Sequence, residues 1–427
     1  MKILCFRMTW LRLIVILVIA LACLQLLHMS MLSQLEIRNN QFEIKKSRFI
    51  FKKVALKQFQ EIQNALHGSS ILDSSGQYRI IHFLLKSKTQ QEESQNNVNG
   101  LTLLTQCSAN RLHYLIDLAN QWSAPISIAV FTISKDIKNV VRTLLYLQFC
   151  VPAIREYVSI HLVFPFASNI EAITETDIDM PHDVCHNLKD ELQKRYNTTL
   201  NYDLQGVPYP NNLLRNIALR NAHTDHIFLI DIDFIPSKNL HSNFLNFAQT
   251  NGIFDINRSV YEKTVYVVPA FETRNKISIP SNKDELLLQW KKSEIRPFYY
   301  ELCWKCQKQL DYEAWGLANS TKSVTVAYEI EWKDPWEPFY ITRKTIPVYD
   351  ERFKQYGFNR ISQVCEVHFA GYTFAVLNNA FLLHKGYKLP SNFHKTKEQE
   401  QQRNRILFRQ FKEQLKTKYP NSTRRCY

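Results

Sequence analysis

The sequence predicts an α/β fold in which a mostly parallel sheet is flanked by helices, preceded by one membrane-spanning helix. From about residue 101, apolar runs of strand length alternate with segments whose apolar residues have helical spacing. The strand runs are apolar throughout, which is typical of parallel strands buried on both faces. A basic start followed by a long apolar stretch predicts the membrane helix.

The N-terminal segment predicts a signal anchor. Lys2, Arg7 and Arg12 precede the apolar run, and no small-residue cleavage site follows it in "QLLHMSMLSQLE". The alternative, a cleaved signal peptide, would need such a site. Positive charge ahead of the run favours a cytosolic N-terminus and a lumenal body. The expected organisation is a cytosolic tail (1–12), a transmembrane signal anchor (13–31), a stem and linker (32–100) and one large domain (101–427).

Cysteines and glycosylation sequons agree with a lumenal body, because disulfides and N-glycans form there. Seven cysteines follow the anchor, so at least one stays unpaired within the chain. A single C-x-x-C pair, Cys303 and Cys306, is weak evidence for zinc, and we expect each to bond a distant cysteine. The sequons begin at Asn197, Asn257, Asn319 and Asn421.

The net charge of +14 fits an anionic partner, but the basic residues are spread along the chain. Zinc-finger spacing, a basic helix and RNP-type aromatic motifs are all missing from the sequence. A nucleic-acid partner is therefore not expected.

The predicted elements follow one another in chain order. A strand at 77–87 interrupts the polar stem and is expected to join the folded body. The domain then predicts a strand at 125–133, a helix at 137–151, a strand at 159–166, a helix at 211–222 and a strand from His226. A further strand at 263–272 and a closing amphipathic helix at 398–420 complete the pattern.

Two aspartates, Asp231 and Asp233, end the apolar run "HIFLI". In a parallel sheet, ligands bind at the carboxyl ends of the strands. If the segment is extended, residues i and i+2 face the same side, and two carboxylates there would repel each other. A divalent cation relieves that repulsion and can hold substrate phosphates as well. We therefore expect a metal site, with a strand-ending turn as the structural alternative.

Two enzyme classes use a D-x-D motif of this kind. Phosphatases of the haloacid dehalogenase type carry D-x-D-x-T/V near the start of the domain. Here Ile235 stands at the last position of that pattern, and about 130 residues of α/β sequence come first. Nucleotide-sugar glycosyltransferases of the GT-A type carry D-x-D in mid-domain, so position and lumenal topology favour the second class.

Four segments resemble glycosyltransferase family 49, which is related to the second catalytic domain of the LARGE-type glycosyltransferases. They are "NNLLRNIALRNAHTDHIFLIDIDFIPS" (211–237), "DPWEPFYI" (334–341), "YDERFKQYGFNRISQVCEVHFAGYTFAVLNNAFLLHKG" (349–386) and "FRQFKEQLKTKYPNS" (408–422). The resemblance extends over about residues 100–427 and rests on long ungapped stretches.

The resemblance implies a Rossmann-like GT-A catalytic domain and an inverting, Mn²⁺-dependent enzyme of the Golgi membrane. The donor would be UDP-glucuronate, and the acceptor a xylose-terminated O-mannosyl glycan on a glycoprotein such as α-dystroglycan, joined in a β-1,4 linkage. A LARGE-type glycosyltransferase would be a partner that extends the product. Two alternatives remain open: a different UDP-sugar donor, as in poly-N-acetyllactosamine synthesis, and a non-catalytic, membrane-anchored glycan-binding protein.

Candidate site residues follow from the motif and the resemblance together. Asp231 and Asp233 are expected to bind the metal, and the resemblance implies His384 as a third ligand, since imidazole suits Mn²⁺ better than Mg²⁺. Inversion in one displacement needs a carboxylate base. Glu366 is the first candidate for it, and the others are Asp350, Glu351 and Glu337. Arg215 and Lys385 are expected to bind the nucleotide-sugar.

The sequence does not decide which residues contact the sugars of the donor and the acceptor. A glucuronate donor carries a carboxylate that calls for an arginine, and Arg274, Arg343 and Arg360 are the candidates. Aromatic side chains could stack on acceptor sugars or belong to the core, and they are Trp332, Trp336, Tyr340 and Tyr356.

Overall fold

The structure, a computed structural model, describes most of the chain. The predicted strands and all candidate site residues lie within it, whereas residues 93–98 of the predicted linker and the sequon Asn257 lie outside the described residues. The described residues are 2–92, 99–167, 173–174, 184–197, 206–255, 263–274, 277–321, 323–389 and 396–427.

The first helix, α1 (Lys2–Gly68), combines a membrane-length segment with a stem that docks on the domain. Within its segment Val15–Asn39 an 18-residue window reaches a mean hydropathy of 2.4, and none of that window is buried, so length and composition allow the segment to cross a membrane. Farther along α1, the buried residues Ala55, Phe59, Ile62 and Leu66 recur at steps of three or four and join the main core.

A ten-stranded sheet forms the centre of the domain, in the order β1-β2-β5-β4-β3-β6-β12-β8-β13-β11. Its strands, in chain order, are β1 (Ile71–Leu72), β2 (Tyr78–Leu85), β3 (Leu101–Ser108), β4 (Ile126–Phe131), β5 (Val158–Pro165), β6 (His226–Leu229), β8 (Thr264–Val268), β11 (Thr325–Ile330), β12 (Phe339–Arg343) and β13 (Thr373–Asn378). The sheet therefore begins upstream of residue 101, and the strand predicted in the stem belongs to it.

Helices cover both faces of this sheet. They are α2 (Lys88–Glu92), α3 (Tyr114–Trp122), α4 (Ile137–Cys150), α5 (Pro152–Tyr157), α6 (Val184–Asn197), α7 (Asn211–Arg220), α8 (Leu240–Thr250), α9 (Lys283–Lys291), α10 (Tyr312–Leu317), α11 (Ile361–Phe369) and α12 (Lys397–Lys418). The predicted fold class, α/β with a Rossmann-like sheet flanked by helices, is confirmed; most strands of the large sheet run in one direction, but β2, β11 and β12 run the opposite way, so the sheet is mixed.

Strand direction decides which loops meet. Strands β3, β4, β5 and β6 pair in parallel, and so do β8 and β13. Strand β12 lies between β6 and β8 and is antiparallel to both. The start of β12 therefore lies at the same edge as the carboxyl ends of β6 and β8.

A second, four-stranded sheet sits at that edge, in the order β10-β9-β14-β7. Its strands are β7 (Phe234–Pro236), β9 (Ala270–Thr273), β10 (Ile295–Pro297) and β14 (Leu382–Lys385). The single strand predicted at 263–272 is wrong in one respect: it divides at Pro269 into β8 and β9, which belong to different sheets. Proline has no N–H to donate to a ladder, so pairing stops there.

Disulfides correct one expectation. The bonded pairs are Cys150–Cys185, Cys303–Cys306 and Cys365–Cys426. The prediction of distant partners for Cys303 and Cys306 is wrong, because a single 3₁₀ turn brings their Cα atoms to 5.4 Å, within bonding range. Cys107 is buried and free, as an odd number of cysteines requires.

Buried histidines make the domain sensitive to acid. His226 is 1% exposed, and neither ring nitrogen has a hydrogen-bond partner within the described chain. Burial first and the charge on Arg343 second lower the pKa of His226 from 6.5 to about 4. Between pH 6.5 and about pH 4, His226 is therefore protonated in the unfolded chain but not in the folded chain. The contribution of His226 to stability is complete above pH 6.5 and is lost as the pH falls toward 4.

We expect His226→Leu to make stability less dependent on pH. At pH 5 the wild-type chain should lose about 2 kcal/mol through this one histidine relative to neutral pH. Urea unfolding of both proteins at pH 7.5 and pH 5 measures the difference. An identical loss in both proteins would contradict the assignment of the effect to His226.

Candidate functional site

The aspartate motif lies in a turn at the carboxyl end of β6. The backbone N–H of Phe234 donates to the carbonyl of Asp231 at 3.1 Å, which closes the turn before β7 begins. The expectation of an extended segment with both carboxylates on one side is therefore wrong. The turn directs Asp231 and Asp233 toward different partners, and a turn and a metal site are here compatible interpretations.

Asp233 faces His384 across the small sheet. Strand β14 pairs antiparallel with β7, and the register sets His384 opposite Phe234. The His384 Nε2 atom lies 3.1 Å from Asp233 Oδ2, while Nδ1 lies 2.7 Å from the carbonyl of Gly386. A carbonyl only accepts, so Nδ1 carries a hydrogen. In the neutral imidazole, Nε2 then presents a lone pair to a carboxylate oxygen, an arrangement that needs a proton or a cation between the two atoms.

A lysine completes the environment of Asp233. The Lys388 Nζ atom lies 2.9 Å from Asp233 Oδ2. Burial by itself would raise the pKa of Asp233, but Lys388 and His384 outweigh it and hold this pKa well below its usual range. Asp233 is therefore ionised and ready to bind a cation at neutral pH.

Asp231 faces two arginines. Arg215, on α7, and Arg360, just before α11, each place a guanidinium nitrogen 3.5 Å from its carboxylate. Arg215 is buried and fixed by the side-chain oxygens of Asn212 and Asn359, both at 2.9 Å. The two guanidinium groups are thus held in place at the sheet edge beside the motif.

The three side chains expected to bind the metal are of types that suit a divalent cation, but they do not converge on one position. Within the described ranges, no three His, Cys, Asp or Glu side chains lie close enough to hold a metal ion together. Asp233 and His384 form a preassembled pair, whereas Asp231 is turned toward its arginines. Two carboxylates and an imidazole match the ligands that Mn²⁺ accepts. The 3.1 Å approach of His384 Nε2 to Asp233 Oδ2, with Nδ1 turned toward the carbonyl of Gly386, brings two ligand atoms together and is the observation that fits a cation.

Lys385 points away from this pair. Successive residues of a strand face opposite sides, so His384 and Lys385 diverge. Lys385 Nζ lies 2.9 Å from Asp117 on α3, a carboxylate that it shares with Lys189. Burial acts to raise the pKa of Asp117, but the two lysines lower it overall. Lys388, which the sequence reasoning missed, is the lysine on the motif; its signal in the sequence is a basic residue four positions after His384 in "HKGYK".

Glu366 lies apart from the contacts described so far. It is 4% exposed on α11, and its carboxylate accepts from Lys418 Nζ at 2.6 Å and from the Tyr419 hydroxyl at 2.9 Å. Both partners come from the C-terminal end of the chain, next to the Cys365–Cys426 disulfide. These contacts tie α11 to the C-terminal segment.

The three arginines that could bind the carboxylate of a glucuronate donor lie in different parts of the fold. Arg360 lies at the motif, as described above. Arg343 pairs with Asp225 at the opposite end of β6, and Arg274 is exposed at the end of β9. Of the four aromatic candidates, Trp332, Trp336 and Tyr340 are buried in the core and only Tyr356 is half-buried.

Comparison with known proteins adds independent findings. A family profile described as "Glycosyl-transferase for dystroglycan" matches residues 100–420. The chain is 40% identical to "Beta-1,4-glucuronyltransferase 1" of Danio rerio over 422 residues, 95% of each chain. It is 29% identical over 290 residues to "Xylosyl- and glucuronyltransferase LARGE2s" of Gallus gallus, which covers 67% of this chain and 32% of that relative. The solved structure of GalNAc-T7 with UDP, GalNAc and Mn²⁺ is a distant likeness, with 9% identity and a TM-score of 0.39 over 77% of this chain and 52% of the other.

Proposed function

This chain belongs to the family of glycosyl-transferases for dystroglycan, and on that premise we propose that it transfers glucuronic acid from UDP-glucuronate to xylose in a β-1,4 linkage, with inversion. The acceptor is a xylose-terminated O-mannosyl glycan of the α-dystroglycan type, and a LARGE-type glycosyltransferase extends the product. The name of the relative from Danio rerio supports the donor and the linkage.

The pairing of His384 with Asp233 is the observation that carries the proposal. It brings a histidine and a carboxylate to the sheet edge where nucleotides bind in parallel α/β folds. The fixed Nδ1–H of His384 leaves Nε2 free to act as a ligand. A purely structural turn would not require this arrangement.

Asp231, Asp233 and His384 are the residues that would hold Mn²⁺. Bound there, Mn²⁺ would neutralise negative charge on the diphosphate of the donor. Asp233 is already paired with His384, and Asp231 lies two residues away in the same turn. The chain itself contributes the two carboxylates and the oriented imidazole.

Four basic side chains would bind the negatively charged donor. Arg215 is held rigidly by two asparagines, which suits contact with the nucleotide-sugar. Lys388 is poised on Asp233 for the diphosphate, and Lys385 extends the basic surface toward Asp117. Arg360 is the arginine at the motif, and we assign it to the carboxylate of the glucuronate.

The N-terminal helix supports a location as well. Its apolar segment is long enough to cross a membrane and basic residues precede it, which supports our proposal of a type II Golgi anchor with the domain in the lumen. Three disulfides in the domain agree with an oxidising compartment.

Incubation with separate UDP-sugars tests the function. We expect the full-length chain in detergent to release UDP from UDP-glucuronate in the presence of a β-xyloside acceptor and Mn²⁺, and a chelator to abolish the release. Preference for UDP-xylose or UDP-N-acetylglucosamine would overturn the donor assignment. Absence of UDP release from every donor would instead favour a glycan-binding protein without turnover.

A further inference from the structure

The carboxylates that the sequence offers as general base differ in what they already bind. Glu366 accepts from Lys418 and Tyr419. Asp350 accepts from the Arg352 guanidinium through both oxygens, at 3.0 and 2.9 Å from Nε. Glu351 accepts from Asn216 at 2.8 Å and from Arg220 at 3.0 Å. A carboxylate saturated with donors is a poor acceptor for a further proton.

Glu337 is different. Its backbone N–H and carbonyl are hydrogen-bonded. Its carboxylate, in the part of the chain that the structure describes, has no hydrogen bond or ion pair. It is half-buried. Burial raises the pKa of Glu337, and the charges of Arg360 and Arg215 offset this only in part. A half-buried carboxylate without a donor and with a raised pKa accepts a proton more readily than a carboxylate held in ion pairs.

Topology brings Glu337 to the site. It lies two residues before β12, whose first residue, Phe339, pairs with Val268 at the end of β8. Because β12 runs antiparallel to β6, its start lies at the edge where β6 leads into the Asp231 turn. Arg360 joins the two segments: its Nη1 lies 3.5 Å from Asp231, and its Nη2 donates to the carbonyl of Glu337 at 3.4 Å.

The loop containing the C-x-x-C disulfide fixes the backbone of Glu337. The Glu337 N–H donates to the carbonyl of Cys306 at 3.0 Å, and the Gln307 side chain donates to the carbonyl of Glu337 at 3.3 Å. The Cys303 N–H donates to the carbonyl of Tyr299 at the start of this loop. Tyr299 interacts electrostatically with Glu337, Asp231 and Arg360, so one loop borders both the motif and the carboxylate.

We propose that Glu337 is the catalytic base of the transfer, which rests on the function proposed above. The Glu337 carboxylate takes the proton of the acceptor hydroxyl while that oxygen forms a bond to C1 of the glucuronate. The bond from C1 to the diphosphate oxygen breaks, and UDP leaves with the electron pair. Protonated Glu337 then returns its proton to water. Glu366 acts in the fold, as a tether for the C-terminal segment.

The test compares Glu337→Gln with Glu366→Gln in the full-length chain in detergent. We expect Glu337→Gln to lower kcat by at least about 100-fold, since a general base contributes on this order. Its Kd for UDP with Mn²⁺ and its Tm should equal those of the wild type. The matched variant Glu366→Gln should keep kcat near the wild-type value and show a lower Tm, because it weakens the contacts to Lys418 and Tyr419.

Each other outcome overturns the proposal. Glu337→Gln with more than about a tenth of the wild-type kcat, well short of the contribution of a general base, excludes Glu337 as the base. Loss of UDP binding assigns it to donor binding instead. Loss of transfer in Glu366→Gln with UDP binding intact returns the role to Glu366. If Glu337→Gln does not fold, Glu337→Ala decides, and more than about a tenth of the wild-type kcat in that variant refutes the proposal. A wild-type chain that transfers from no donor refutes the transferase function itself, whereas an active wild type with an active Glu337→Gln refutes only the base.

Discussion

Asp233→Asn is expected to lower transfer by at least about 100-fold, the cost of removing one preorganised electrostatic group from an active site. The amide keeps the size of the side chain but removes the negative charge that Lys388 and His384 surround. The metal-dependent part of UDP binding should disappear with it. Steady-state transfer and calorimetric titration of UDP, each with and without Mn²⁺, measure the two effects.

Asp225→Asn is the matched control for this change. Asp225 comes just before β6, at the opposite end of the strand that leads to Asp233, and its ion pair with Arg343 is 3.5 Å long and partly exposed. Such a pair contributes about 0–1 kcal/mol. The control should therefore keep transfer and folding. Equal activity losses in the two variants, or a fully active Asp233→Asn, would contradict the placement of the site at the β6 turn.

Replacement of both Cys365 and Cys426 by alanine should give the largest loss of stability, about 4 kcal/mol, because their bond closes a loop of 61 residues in the unfolded chain. Both sulfurs are buried, and the bond holds the C-terminal segment next to Glu366 and its partners. The expected result is a lower midpoint in urea unfolding under non-reducing conditions.

The pair Cys303 and Cys306 provides the comparison for this change. Their bond spans only three positions, so the same double replacement should cost about 2 kcal/mol or less. Its main consequence should be lower transfer, since the loop holds the backbone of Glu337. Equal stability losses for the two double variants would show that loop closure in the unfolded chain is not the source of the effect.

Much of the fold was predictable because a continuous apolar run indicates a buried strand or helix from the local sequence alone. The strands at Ile126–Phe131 and Val158–Pro165 and the helix Asn211–Arg220 lie within one residue or two of their predicted positions. The resemblance to glycosyltransferase family 49 and its LARGE-type relatives is confirmed by the matches to this chain. The division at Pro269 was missed, and the turn at Asp231 was predicted only as the alternative to an extended segment, since both depend on which sheet the next residues join.

The sequence by itself determined the element types, the membrane-length helix, and the kinds of side chain available for chemistry. Tertiary structure alone decided which of them meet. His384 reaches Asp233 across 151 positions because β14 pairs with β7 in one register, and a shift of one residue would turn its ring to the other face. Glu337 and Glu366 are equivalent carboxylates in the sequence. The fold distinguishes them, because it surrounds Glu366 with donors, whereas no donor among the described residues reaches the carboxylate of Glu337 beside Arg360 and Asp231.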